Sequence, residues 1–303
     1  MAKYLVTGGA GFIGTNIVIQ LLEQGHSVRV IDNYAGGKME NRIQDGAEYF
    51  EGDIRSMEDL NKAMDGIDGV FHLAALPRMS FSIEHPEETN DVNVSGTLKV
   101  LIAARDNNVK RIVYSASSSA YGGTEDKEPI NEERKSNPKS PYALQKYVGE
   151  QYTRLFSELY GLEGVSLRYF NVYGSYMNPE GDYALVVGKF LKQAKEGKPL
   201  TICGDGEYYR DYTHVSDVAR ANILAMTKDT VGSGEVINIG NGNPQSVNTL
   251  AKLIGGETVN VPDRPGDMRR SHADNTKAKE LLDWEPTVKF EDGIAELKKE
   301  MGI

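Results

Sequence analysis

The sequence predicts an α/β protein: a doubly wound parallel sheet with a smaller C-terminal α/β unit. Three observations carry this. Short apolar runs at 4–7, 28–32, 48–51, 69–74 and 111–115 alternate with helical patterns at 12–24, 57–63 and 87–107, which is the signature of βαβ units. A glycine-rich turn at 8–14 sits between the first strand and the first helix. Beyond residue 174 the alternation loosens, and a chain of 303 residues corresponds to about two domains.

In the first helix Ile13, Ile17, Val18, Leu21 and Leu22 form the apolar face. Residues 122–141 are polar and rich in Glu, Lys and Pro, a long loop. Ser140 as N-cap and Pro141 at the first helical position open a helix over 141–160, followed by a strand at 165–170. Further on, 176–183 and 264–272 read as loops, 184–196, 217–228 and 276–282 as helices, and 200–202 and 235–239 as strands. The expected domains are 1–172, with 212–240 returning to it, and 173–303.

Lys plus Arg is 34 against 44 for Asp plus Glu, a net charge of −10. That balance opposes non-specific binding to nucleic acid or anionic membranes, which depends on neutralising phosphates. No run of ~18 apolar residues and no leader pattern is present, so a cytoplasmic protein is expected. The single cysteine, Cys203, excludes an internal disulfide framework, and no His, Cys and acid spacing suggests a metal. Gly is 32 of 303 residues, above the usual ~7%.

Part of that glycine has a clear use. Gly9, Gly11 and Gly14 satisfy G-x-G-x-x-G, and Gly8, Gly11 and Gly14 satisfy G-x-x-G-x-x-G, between a strand and a helix. Glycine permits the tight turn and lets backbone N–H groups approach a pyrophosphate at the helix N-terminus, as in Rossmann-type domains. Asp32 ends the second strand about 20 residues on, where a carboxylate accepts from the adenosine ribose. Asn33 and Tyr34 follow it rather than Arg, which favours NAD over NADP. Asp53 and Ile54, after the third strand, are expected beside the adenine.

Tyr142 and Lys146 stand at i and i+4 near the start of the capped helix, one above the other. A neighbouring ammonium, a cationic nicotinamide and the helix N-terminus should together favour phenolate and lower the tyrosine pKa, making a general base. The serine run 117–119 follows the fifth strand, at the ligand-binding carboxyl edge of a parallel sheet.

With these residues in view, the chain resembles the extended short-chain dehydrogenase/reductase family. The likeness runs through residues 7–14, Asp32, Asp53 and Ile54, residues 72–75, Asn93, the serine run, Tyr142 and Lys146, residues 167–174, 210–215 and 264–267, and 283–286. Within that family it is most similar to nucleotide-sugar 4-epimerases acting on UDP-glucose, UDP-galactose and their N-acetyl forms. The resemblance implies Ser117, Tyr142 and Lys146 as catalytic residues. It implies NAD contacts from Gly8, Gly11, Phe12, Ile13, Gly14, Asp32, Asn33, Asp53, Ile54, Leu73, Ala74, Ala75, Asn93, Tyr142, Lys146 and Tyr169. It places Ser117, Ser118, Asn171, Arg210, Arg264, Asp267 and Ser271 at a UDP-hexose.

Relatives that eliminate water or carboxylate carry an acidic residue after the catalytic strand-end hydroxyl, where this chain has Ser118 and Ser119. An epimerase is therefore the expectation, with a dehydratase, decarboxylase or reductase of the same family as the alternative and a non-catalytic NAD-binding protein as a third reading. The small Ser271 implies room for an N-acetyl group. Pro77 and Arg78 stand where some 4-epimerases have a lysine. The helices near 87–107 and 141–160 resemble the pair that forms the family's homodimer interface.

Overall fold

A computed structural model describes residues 1–124, 127–178, 186–263 and 269–303. Seven parallel strands form the main sheet: β1 (Lys3–Thr7), β2 (Ser27–Asp32), β3 (Ala47–Glu51), β4 (Gly69–His72), β5 (Arg111–Ser117), β6 (Glu163–Tyr169) and β9 (Ser233–Ile239), in the order β3-β2-β1-β4-β5-β6-β9. The order reverses between β1 and β4, so a crevice opens at their carboxyl ends, the ligand-binding point of such sheets.

Both faces are covered, which explains why β4 and β5 read as near-continuous apolar runs. One core joins Val6, Val30, Phe71 and Val113 to α1 (Phe12–Glu23) and α8 (Val215–Thr227); Leu282 of α10 (Thr276–Leu282) and Trp284 also pack there. The other joins Leu5, Ile31, Val70 and Ile112 to α2 (Met57–Met64), α5 (Thr97–Asp106) and Phe156 of α6 (Pro141–Tyr160). α6 starts where its cap predicts: Ser140 accepts from the Ala143 amide at 3.2 Å, and Gly161 closes it at φ 71°.

The helix expected over 87–107 is instead α4 (Pro86–Asn90), a π-helical turn (Asp91–Gly96) and α5. A short helix, α3 (Met79–Glu84), precedes it where no apolar periodicity announced one. The strand expected over 69–74 stops at His72, because the Leu73 and Ala74 amides turn back onto the Thr7 hydroxyl, each at 3.2 Å. A 3-10 turn (Ser118–Tyr121) follows β5.

The C-terminal unit packs α7 (Val186–Lys195), α9 (Val247–Ile254), α11 (Phe290–Met301) and β7 (Leu200–Cys203) around Phe190, Leu200, Leu250 and Ile294. β8 (Tyr209–Arg210) pairs antiparallel with β10 (Gln245–Ser246), and β11 (Thr258–Val261) parallel with β7. The sequence patterns did not single out β8, β10, β11, α9 or α11. Among the described residues no helix is long and apolar enough to cross a membrane, and no group of three or more His, Cys, Asp or Glu residues is placed to hold a metal.

Candidate active site

The glycine turn is built to the last ångström. Gly8 has φ +71°, and a Cβ there would lie 2.8 Å from the Ala74 nitrogen; one on Gly14 would lie 2.4 Å from the Gly8 oxygen. The turn thus lets β1, β4 and α1 close on one another. Gly11 caps α1 without a side-chain bond, and the first turn, with Phe12 and Ile13, carries no acid. Its amides are therefore left as donors at the positive end of the helix, the electrostatic complement of a pyrophosphate.

Asp32 accepts from the Ala10 amide at 3.0 Å and the Tyr34 amide at 2.8 Å, tying β2 to the turn. Burial raises its pKa, opposed by those two amides and the nearby Arg42 charge. Arg42, absent from the local sequence signal, has its guanidinium on the Tyr176 carbonyl, with Nη2 at 2.6 Å. Asp53 is held near about 2 by its fork with Arg55, at 3.0 and 2.8 Å, and accepts from Asn33 at 3.0 Å. Ile54 is buried beneath Gly96. These parts fit a dinucleotide: donors at the helix N-terminus, a carboxylate at the second strand end and a polar–apolar pair past the third.

Two residues expected at the cofactor are already fully engaged within the protein. The Asn93 amide accepts from Leu76 N at 2.8 Å and donates to Leu76 O at 3.1 Å and to Gln145 Oε1 at 2.9 Å. It thereby pins the segment after β4, including Ala75, to α6. The Tyr169 hydroxyl lies 2.9 Å from Ser115 Oγ and donates to Asn222 Oδ1 at 2.9 Å, and burial pushes its pKa up to about 12.

Ser117, Tyr142 and Lys146 come together at the end of β5 and the start of α6. Ser117 Oγ accepts from the Ser119 amide at 3.2 Å, and a hydrogen bond from Ser117 lowers the Tyr142 pKa. Burial nevertheless pushes Tyr142 upward, and it pulls Lys146 down to about 7. The expected net lowering of the tyrosine is thus absent in the protein alone, because a dry site penalises phenolate and ammonium alike. Lys146 Nζ sits 4.5 Å from the Tyr114 ring centroid. Ser82 of α3 accepts from the Tyr142 amide at 3.0 Å, so the unannounced helix holds the tyrosine backbone.

The residues expected at substrate form a second group. Asn171 Nδ2 donates to Ser271 Oγ at 3.0 Å and to the Asp211 carbonyl at 3.1 Å. Arg210 lies on β8, its Nη1 3.0 Å from the Tyr209 carbonyl, and Ser271 N donates to that same carbonyl at 3.1 Å. Ser118 opens the 3-10 turn beside Ser117. Arg264 and Asp267 lie outside the described residues. Asp211 organises the group: fully buried, it accepts from the amides of Asn241 at 2.6 Å, Gly242 at 3.1 Å and Ala273 at 2.8 Å.

A seven-strand doubly wound sheet with a glycine cradle and a Ser–Tyr–Lys cluster at its carboxyl edge defines a dinucleotide-dependent enzyme class. The family model described as the NAD dependent epimerase/dehydratase family matches residues 4–240. The chain is 37% identical to the UDP-glucose 4-epimerase of Mycolicibacterium smegmatis, over 97% of this chain and 96% of that protein. It superposes with TM-score 0.92 on the UDP-glucose 4-epimerase of Thermotoga maritima solved with UDP-glucose, at 39% identity and 99% coverage of both chains. It superposes equally, with TM-score 0.92 at 36% identity, on the UDP-N-acetylglucosamine 4-epimerase of Methanobrevibacter ruminantium in complex with UDP-N-acetylmuramic acid, covering 98% of this chain and 97% of that one. The chain belongs to the NAD-dependent epimerase/dehydratase family, within its UDP-sugar 4-epimerases.

Proposed function

We propose that the protein inverts C4 of a UDP-hexose, UDP-glucose/UDP-galactose and also UDP-GlcNAc/UDP-GalNAc, through a 4-keto intermediate. The observation that carries this is the Ser117–Tyr142–Lys146 cluster at the sheet's carboxyl edge, followed by Ser118 and Ser119 rather than an acid. Bound NAD, held by the cradle and Asp32, supplies a hydride acceptor and donor. Tyr142 takes the proton of the sugar 4-hydroxyl at its Oη and returns it after the ketone has turned over. Ser117 donates to the same oxygen, and Lys146, as a cation, stabilises the phenolate and holds ribose hydroxyls. No carboxylic acid for protonating a second leaving hydroxyl stands in the 3-10 turn, which disfavours elimination.

On the substrate side, Asn171, Arg210 and Arg264 take the UDP moiety, Asp267 the uridine ribose, and Ser271 faces the sugar 2-substituent. The cofactor unit is 1–172 together with 212–240, the latter supplying α8 and β9. A homodimer through α4, α5 and α6 accounts for the apolar stripe of Leu144, Leu155 and Leu159, of which Leu159 is 67% exposed; sedimentation should give twice the chain mass.

Purified protein given UDP-galactose, UDP-GalNAc or UDP-glucuronate without added NAD tests the reading, with products resolved by chromatography. Equilibration of the first two with their 4-epimers is expected. A stable 4-keto or pentose product would instead make it a dehydratase or decarboxylase, and absent turnover with tight NAD binding a non-catalytic protein. Failure on UDP-GalNAc alone removes the N-acetyl claim.

A further inference from the structure

Among the described residues the most deeply buried ion pair joins Glu150 of α6 to Arg168 of β6, with side chains 1% and 4% exposed. Arg168 Nε donates to Glu150 Oε2 at 2.8 Å and Nη2 to Oε1 at 2.7 Å, a fork of two parallel bonds. The same guanidinium lies 4.4 Å above the Tyr121 ring and reaches Ser136 Oγ at 3.3 Å, while Nη1 is buried without a hydrogen-bond partner. Such a pair is a poor way to gain stability, since well-packed apolar residues usually serve as well. Its location suggests another use.

Glu150 follows Tyr142 and Lys146 at i+8 and i+4, on the same face of α6. Tyr121 ends the 3-10 turn that Ser117 caps, and Arg168 is paired across the sheet with Ala116, the residue before Ser117. One guanidinium therefore touches both the helix bearing Tyr142 and the turn bearing Ser117. We infer that Arg168 is a positioning residue for the Ser117–Tyr142 pair, with Glu150 as its anchor on α6. The inference rests on the catalytic reading of that pair. A lysine could not replace Arg168, because a point charge cannot fork and stack at once.

The pairing also fixes the local charge. Tyr114 from β5 faces both Tyr142 and Glu150, His72 from β4 faces Lys146, and Tyr121 and Glu132 stand beside the Arg168 guanidinium. Burial holds His72 at about 3, so it stays neutral. Glu150 stands about 12 Å along the helix from Tyr142, and among the described residues only Arg168 compensates its charge at hydrogen-bond distance. At that range the pair acts on Tyr142 through position: the hydrogen bond from Ser117 lowers the Tyr142 pKa, and slack between β5 and α6 would weaken it.

Three variants test this: R168K, R168M and E150Q/R168M. The readouts are kcat, KM and the titration midpoint of Tyr142, followed by NMR of ring-labelled tyrosine and assigned with Tyr142→Phe. R168K keeps the charge but loses the fork and stack, so kcat should fall about tenfold with KM for the UDP-sugar within about twofold. R168M should raise the Tyr142 midpoint by about half a pH unit or more. The double variant, which leaves no buried unpaired charge, should keep both the raised midpoint and the low kcat, because the link between the two segments is still missing. Wild-type kcat in R168K, or kcat and KM lost in step with an unmoved midpoint in R168M, would overturn the inference. If the wild-type protein turns over no UDP-sugar, the epimerase reading fails, and the R168M midpoint alone then decides: a rise supports positioning and its absence refutes it.

Discussion

The two halves of the proposed site, one for chemistry and one for recognition, are made in different ways. The chemical half, Ser117 with Tyr142 and Lys146, takes two of its three residues from four consecutive positions' reach on one helix and the third from an adjacent strand end. The recognition half, Asn171 with Arg210 and Ser271, is gathered from three segments spanning 100 residues and fastened by one buried carboxylate, Asp211. Helical geometry places the first set almost without help, whereas the second has no local rule and depends on tertiary hydrogen bonds. The difference suits the proposed tasks: proton transfer needs one arrangement, while the proposed hexose end must fit a particular substituent.

Four changes break or sharpen that contrast. The largest effect is expected for Tyr142→Phe, which removes the base and leaves the helix: kcat should drop about 10³-fold or more while NAD remains bound, as read by turnover and by nucleotide released on denaturation. Asp211→Ala should act in the opposite sense. It leaves three amides without their acceptor, that of Ala273 buried and those of Asn241 and Gly242 part-buried, so the protein should lose about 2 kcal/mol in denaturant titration and KM should rise more than kcat falls. Ser271→Tyr comes next. Ser271 is 8% exposed and packed on Asn171, so added volume must enter the sugar site or displace Asn171. Activity on UDP-GalNAc should then fall about tenfold relative to UDP-galactose, and an unchanged ratio would remove Ser271 as the selector.

The last contrast is a pH dependence. Lys146 is pulled from 10.5 to about 7 by burial, so between those values the unfolded chain binds more protons than the folded one. Stability of the nucleotide-free protein should therefore rise as pH climbs from about 7 towards 10, with the full cost of burial present below 7. Lys146→Met should flatten that rise; denaturant midpoints across the range show whether it does.

Much of the chemical half was legible because its signals are local. The glycine turn, Asp32 at a strand end and the capped helix with Tyr142 and Lys146 each follow from a period or a conformational need within a few residues. The π-helical turn was hidden in an ordinary helical pattern, since one extra residue per turn leaves no compositional mark, and α3 was hidden because six residues hold too few apolar positions. Asn93 and Tyr169 could be placed near the cofactor by resemblance, yet their side chains prove to bond inward, to Gln145 and Leu76 and to Ser115 and Asn222. Asp211 sat inside a recognised motif, but nothing in its neighbours revealed the three amides it would collect.

The sequence by itself determined the parallel α/β class, the phosphate cradle and the vertical alignment of Tyr142 over Lys146, because backbone sterics and helix periodicity act over short distances. Only the tertiary structure decided that burial would raise the tyrosine and lower the lysine, that Asn171 would meet Ser271, and that Arg168 would bond α6 and stack on the turn after β5. Desolvation and long-range hydrogen bonds depend on what the rest of the chain packs around a group, and no local pattern carries that information.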